Sequence, residues 1–250
     1  MVNVLDFGYV KLVEPNGIWG SDEAIIEAAR MSTNKGFQGW GPTLWSCPCH
    51  NPDVCEKCKG RGNYATPGDE KLLRYLWEHK HFSPFEMAGV VVEMQLPIFV
   101  AREFIRHRVL STNEFSARYT ELPDLYYIPS LERVMAGGQA KTNKQASGIA
   151  ISADVAEQIR EVLISSTSYT RLAYQKLLEQ GLSKELARLV VPVNIYTKWR
   201  QSANLRNWLS VLALRLSDNV QWETRMYAEA VATIIKERFP RTYALFEESR

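Results

Sequence analysis

Residues 90–119 read VVVEMQLPIFVAREFIRHRVLSTNEFSARY, and this stretch decides the fold. Val90, Val92, Met94 and Leu96 alternate with Val91, Glu93 and Gln95, the period of a strand. Pro97 suits the first turn of a helix, which the pattern predicts to run to about Leu110. On that helix Arg102 and Arg106 lie one turn apart and Glu103 faces Arg106 and His107, while Ile98, Ala101 and Ile105 occupy another side. Beyond it, Asn113, Glu114, Ser116 and Arg118 follow no obvious period and suit a loop that presents side chains. Arg106, His107, Arg108 and Arg118 concentrate cationic groups, with Glu114 and hydroxyls between them. Planar guanidinium groups grip phosphates and carboxylates through paired hydrogen bonds, so the segment suits a phosphorylated, acceptor-rich ligand. A lone Arg-His-Arg more often reads as a solvated basic helix end; the hydroxyls and carboxylate that follow change that reading.

Outward from this stretch the chain is mostly helical. Ser21–Ser32 opens with a capping serine and early acids, as an amphipathic helix should. Asp69–His79 places Leu72, Leu73, Leu76 and Trp77 on one side of a second helix. Leu125–Ile128 reads as a short strand and Met135–Ser147 as a polar loop. Ala153–Gln180 is predicted as one long helix ended by Gly181, and Ser183–Val191 as a short one stopped by Pro192. Asn204–Arg215 and Asp218–Phe239 read as two more. One strand-rich region among several helices indicates an α+β fold. No repeat or domain boundary is visible, so residues 1–250 read as a single domain.

The chain has 250 residues, 46% of them hydrophobic and 23% charged, enough to bury a sizeable core. A formal net charge of +2 does not indicate a general nucleic-acid binder, and local arginine clustering carries more information than the total. No stretch approaches the roughly 20 apolar residues of a membrane span, and Met1–Val13 lacks a secretory pattern, so a cytoplasmic location is expected.

The string Arg106-His107-Arg108, then Ser116 and Arg118-Tyr119, resembles the signature of the flavin-dependent thymidylate synthases. His81-Phe82-Ser83-Pro84-Phe85-Glu86 resembles a second stretch of that family, as does Arg188 with Val191-Pro192-Val193-Asn194-Ile195-Tyr196-Thr197. Asn204-Leu205-Arg206 and Leu214-Arg215 fall at the family's spacing, and Ser32 matches a further position less closely. The resemblance implies an antiparallel sheet with flanking helices and a single catalytic domain. It implies that Ser83, Arg106, His107, Arg108, Glu114, Asn204, Arg206 and Ser210 bind FAD, with His81 at the flavin and folate pocket. By the same resemblance Glu103, Arg106, Glu114, Ser116, Ala117, Arg118, Arg188 and Arg215 hold dUMP, and Arg215 engages the uracil ring and favours its ionised form. It further implies NADPH as reductant, methylenetetrahydrofolate as carbon donor and a homotetramer with shared sites.

The chemistry is consistent with these choices. Methylation at C5 needs electron density at that carbon, and an arginine against the pyrimidine can stabilise the developing negative charge. No cysteine lies near the arginine-rich motifs, so the cysteine-nucleophile route of the other synthase class has no support. All four cysteines, Cys47, Cys49, Cys55 and Cys58, fall in an inserted Gly-, Pro- and Trp-rich loop at about 35–66. Their spacing suits a structural zinc knuckle, with His50 as an alternative ligand and a metal-free or redox-active loop as the plainer readings. Typical family members lack this insertion, so the resemblance says nothing of its role.

The sequence also departs from the family. Glu103 stands where a glutamine is usual, which motivates an alternative in which another pyrimidine nucleotide such as dCMP is methylated or hydroxymethylated. Ala117 replaces a common glycine, and Met87 and Asn219 occupy positions often held by histidine. A third reading, a zinc-knuckle nucleic-acid-binding module using Lys57, Lys59 and Arg61, predicts a protein without flavin colour.

Overall fold

The computed structural model describes residues 1–139 and 147–250. The chain begins with β1 (Val2–Val4), β2 (Gly8–Leu12) and β3 (Ile18–Trp19), then α1 (Asp22–Arg30), the hairpin β4 (Thr43–Ser46) and β5 (Asn63–Thr66), and α2 (Asp69–Glu78). Next come β6 (Gly89–Pro97), α3 (Ile98–Phe104), β7 (Ser111–Glu114), α4 (Leu131–Met135) and the short strands β8 (Gly138–Gln139) and β9 (Ser147–Ile149). The last part holds α5 (Ala153–Glu179), α6 (Lys184–Ala187), β10 (Tyr196–Asn204), α7 (Leu205–Arg215), α8 (Trp222–Arg238) and α9 (Pro240–Glu248). The fold is α+β with an antiparallel sheet, as expected. Of the expected polar loop Met135–Ser147, residues 140–146 lie outside the described residues, and its flanks pair as β8 and β9.

The chain divides into two compact units, both discontinuous in sequence. Unit 1 comprises Met1–Ile18, Val90–Ala203 and Asn207–Ile234 and carries most of a six-stranded sheet of order β1-β2-β6-β10-β7, with β3 also pairing β6. Val10, Val92, Met94 and Leu96 are wholly buried. Trp208 of α7 donates its indole N–H to Val90 O at 3.1 Å, and Tyr227 of α8 donates its hydroxyl to Gln95 O at 2.7 Å, so both helices are fastened to β6. Gly8 is required beside this second bond, because a side chain there would collide with the Tyr227 hydroxyl. Buried Glu223 accepts from Arg133 at 2.7 Å and from the Tyr127 hydroxyl at 3.1 Å, so its charge is compensated.

A second compensated carboxylate lies on the sheet. Glu93 accepts from Tyr9 at 2.8 Å and pairs with Lys11 at 3.0 Å and Arg200 at 3.2 Å. Burial alone would raise its pKa, but the bonds from Lys11, Tyr9 and Arg200 outweigh that and hold it down to about 2. A carboxyl whose pKa is depressed by folding stabilises fully above its ordinary value of 4.5, and that contribution is lost as the pH falls towards about 2. Glu93→Gln is therefore expected to destabilise the protein by about 1–3 kcal/mol at pH 7. The gap to the parent should narrow in urea titrations at pH 3, and an equal gap at both pH values would count against the charge-based account.

Unit 2 comprises Trp19–Gly89, Asn204–Arg206 and Ile235–Arg250. Ser21 caps α1 by accepting from Ala24 N at 3.2 Å. Buried Asp22 accepts from the backbone N–H groups of Arg241 at 2.9 Å and Thr242 at 3.1 Å, and from the Thr242 hydroxyl at 2.6 Å, joining the starts of α1 and α9. Asp69, with no exposed side-chain surface, receives Arg30 and the N–H of Gln38 at 2.6 Å. Gly68 takes φ 78° and lies against the carbonyls of Trp40 and Gly41, where a side chain has no room.

Three expectations need correction. The helix after Pro97 ends at Phe104, well short of Leu110; Ile105 and Val109 continue the apolar pattern but are about half exposed (51% and 48%), so the pattern there does not mark a core-facing helix. Ser111–Glu114, expected within a loop, is β7, paired antiparallel with β10 in the register Ser111↔Ser202 to Glu114↔Trp199. Leu125–Ile128 forms no strand; it meets the sheet through a bridge between Tyr126 and Ile195 and a bond from Tyr196 N of β10 to Leu125 O at 2.9 Å. The strands β1, β2 and β10 and the helix α9 were not anticipated by the pattern.

Candidate active site

In unit 1 the arginine-rich stretch is presented by the end of α3 and the turn that follows. Arg215 is the last residue of α7 and is gripped at three points. Its Nε donates to His107 Nε2 at 2.8 Å, its Nη2 to Glu103 O at 2.6 Å, and its Nη1 to Glu103 Oε2 at 3.2 Å. The Glu103 carbonyl lies in the last turn of α3, where the helix dipole favours a cation. A guanidinium only donates, so His107 Nε2 is the acceptor and the imidazole proton lies on Nδ1. Burial and the neighbouring Arg215 charge hold the His107 pKa below its usual value, against the smaller opposing pull of Glu103, which keeps the ring neutral. Arg215 keeps only 17% of its side chain exposed, so the guanidinium is fixed in orientation.

Arg106 and Arg108 are exposed, and among the described residues neither has an ion-pair partner. Glu114, on the edge strand β7, accepts from the hydroxyl of buried Thr197 on β10 at 2.7 Å. Ser116 Oγ accepts from Arg118 N at 3.3 Å, and its carbonyl receives the N–H groups of Tyr119 and Thr120 at 3.1 Å, forming the turn that holds Ala117 and Arg118. Ala117 does not take a positive φ, so alanine fits here without strain. Arg118 pairs with Glu185 at 2.9 Å, and Arg188 donates to the Glu185 carbonyl at 3.2 Å. The structure thus brings Arg118 and Arg188 to one residue between them. Ser210 lies on the exposed face of α7.

Unit 2 holds the remaining candidates. Ser83 opens a 3₁₀ turn, Ser83–Met87, and is exposed. Leu205 N donates to Ala88 O at 2.7 Å, which fixes the Asn204–Arg206 segment beside that turn. Arg206 pairs with Glu86 and lies over the Phe82 ring, its carbon 5.5 Å from the centroid. His81 is exposed and meets Tyr75 edge-on at 5.8 Å. The sulfurs of Cys47, Cys49, Cys55 and Cys58 all lie within 4.8 Å of one another, and His50 is outside that group. The partners that sequence reasoning missed are Glu185, Thr197 and Glu86. Thr197 and Glu86 lie inside the matched motifs, whereas Glu185 had only its place three residues before Arg188 to mark it.

The comparisons with known proteins follow this geometry. A family model described as "Thymidylate synthase complementing protein" matches residues 12–241. The chain belongs to this family, that of the flavin-dependent thymidylate synthases. It is 37% identical over 250 residues to a flavin-dependent thymidylate synthase of Gluconobacter oxydans, spanning 99% of this chain and 72% of that one. It is 39% identical over 248 residues to that of Thermus thermophilus, spanning 99% of this chain and 78% of that one. Among solved structures it resembles PolB from Streptomyces cacaoi, a UMP/dUMP methylase bound with 5-Br UMP. The TM-score is 0.76 at 27% identity, over 98% of this chain and 96% of the other. Among the described residues no helix is long and apolar enough to cross a membrane.

Proposed function

We propose that this chain is a thymidylate synthase that methylates dUMP at C5, taking one carbon from methylenetetrahydrofolate and reducing equivalents from NADPH through FAD. The observation that carries the reading is Arg215, immobilised by Glu103 and His107 at the end of the arginine-rich stretch. A fixed guanidinium costs no reorganisation when negative charge develops on the pyrimidine, which is the condition for electrostatic catalysis. With His107 neutral, that charge is not shared with a second cation. Arg118 and Arg188, converging on Glu185, are the assigned phosphate ligands, with Ser116 beside them.

The donor set fits FAD, unit by unit. In unit 1 the exposed cations Arg106 and Arg108 suit a pyrophosphate. In unit 2 Arg206 and Asn204 on one segment, and Ser83 on the turn beside it, offer a cation, an amide and a hydroxyl. When bound, the flavin supplies the hydride that completes the methyl group. C5 loses its hydrogen and gains CH3, tetrahydrofolate leaves, and NADPH becomes NADP+.

The homotetramer has support in α5. Of this 27-residue helix only Ala156 and Tyr174 are buried, while Val155, Val162 and Tyr169, spaced in heptads, are exposed together with Leu172. Such a stripe on a helix suits a helix from another copy.

Two other substrates stay in play. The likeness to PolB makes UMP a specific second reading, differing only in the 2′-hydroxyl. For dCMP, the motivating carboxylate of Glu103 is engaged with Arg215, which leaves it less free to accept from a 4-amino group. An anaerobic assay with FAD, NADPH and methylenetetrahydrofolate, offering dUMP, UMP and dCMP in parallel and weighing products, is the test. A methylated product from dUMP is expected; turnover of UMP or dCMP alone would replace the substrate, and no turnover with flavin bound would remove the reading.

A further inference from the structure

The cysteine insertion belongs to none of the chemistry above. Its stem is the antiparallel hairpin of β4 and β5, paired from Thr43↔Thr66 to Ser46↔Asn63, and Trp45 donates its indole N–H to the Thr66 hydroxyl at 3.1 Å. The base is fastened within unit 2, where Asp69 N donates to Gly39 O at 2.8 Å. The tip has no such support. Among the described side chains from 43 to 66, Cys58 is the single buried one, while Leu44 and Val54 are largely exposed. A segment without an apolar core needs another source of folding energy, and a staple is the usual one.

The four sulfurs supply its ligands. Cys47 and Cys55 lie 3.6 Å apart, as do Cys49 and Cys58, and no pair exceeds 4.8 Å. Four thiolates at about 2.3 Å around one tetrahedral ion lie about 3.8 Å from each other, so this group has the size of a mononuclear site and is too tight for an iron–sulfur cluster. The backbone draws the four cysteines together. Lys59 N returns to Cys55 O at 2.8 Å, and Cys47 N meets Gly62 O at 2.8 Å. Lys59 and Gly60 at φ 49° and 81° close the turn.

We propose that Cys47, Cys49, Cys55 and Cys58 bind one zinc ion as a closed tetrathiolate that folds the tip of this inserted hairpin. With all four positions filled by protein, the ion has no open coordination site and is structural. It is independent of the nucleotide chemistry.

Metal analysis of the full-length protein is expected to give about one zinc per chain after exhaustive dialysis, released by a thiol-blocking mercurial. The Cys55→Ser/Cys58→Ser variant should lose the zinc, and trypsin should cut at Lys57, Lys59 or Arg61 about ten-fold faster or more. If that variant fails to fold, cobalt offered to the metal-stripped parent should give the visible bands of a tetrahedral thiolate site. Zinc retained in the double variant, iron in its place, four freely titratable thiols with no metal, or two disulfides by mass would each overturn the proposal.

Discussion

Arg215→Ala is expected to lower turnover of dUMP about 100- to 1,000-fold, the loss typical when one preorganised donor to a developing anion is removed. FAD content should stay near that of the parent, because Arg215 is assigned to the pyrimidine and is not among the residues assigned to the flavin. The effect belongs in kcat more than in KM, since the charge that Arg215 stabilises is greatest in the transition state. Arg215→Lys should recover little of it. An ammonium cannot reach His107 Nε2, the Glu103 carbonyl and the Glu103 carboxylate at once with the geometry of a fork.

A second readout separates this role from a merely structural one. The His107 pKa is lowered by burial and then by the Arg215 charge. Removing that charge leaves burial alone, so the imidazole should titrate at higher pH in Arg215→Ala, as followed by NMR of its ring protons. A folded, flavin-bearing variant with near-normal turnover would sink the activation role. A His107 titration that does not move would show that Arg215 does not lie against His107 in solution.

How much of this was legible in the sequence depends on which forces shaped each element. The long helix α5 and the helices α1 and α2 carry their caps and periods in plain view: Ser21 before α1, the acids of the first turns, Gly181 after α5. The strand β6 was equally plain, because valines and leucines alternate into the core. Strand β10 hides the same alternation behind its chemistry. Thr197 and Gln201 alternate into the buried side with Trp199 and Ala203, so a hydrophobicity pattern reads them as breaks. Strand β7, Ser-Thr-Asn-Glu, has no apolar member at all and is a strand only because β10 pairs with it. The overlong reading of α3 has the opposite cause: Ile105 and Val109 continue the apolar period beyond the point where the backbone stops being helical.

For the site, the identities of the arginines were visible and their partners were not. Glu103 and His107 stood in the same motif, yet nothing in one dimension says that Arg215, more than a hundred positions later, reaches both. The cysteine spacing marked the four candidate ligands by itself, and the fold brings their sulfurs together. Short-range chemistry is thus readable, while charge pairing across the sheet and between distant helices waits for the fold.

The Glu185 contact leads to the second large effect. Arg118→Ala is expected to raise KM for dUMP about 10- to 100-fold, the worth of a charge-assisted bond to a phosphate, with kcat changed only a few-fold. The contact in hand could suggest a different cause, since Arg118 might be thought to matter by holding Glu185. Magnitudes decide against that. Both partners are about half exposed, 53% and 49% on their side chains, and a solvated pair of this kind contributes only about 0–1 kcal/mol. Losing it cannot produce the expected rise in KM. Glu185→Gln supplies the control, because it breaks the same ion pair while leaving both arginines in place. If Arg118 binds phosphate, Glu185→Gln should leave KM within about three-fold of the parent or lower it, since a carboxylate no longer competes for the guanidinium. If the ion pair alone matters, both substitutions should shift KM alike, and the assignment of Arg118 to the nucleotide fails. Arg188, whose guanidinium reaches the Glu185 carbonyl rather than its carboxylate, keeps its own contact in either variant, so the comparison isolates Arg118.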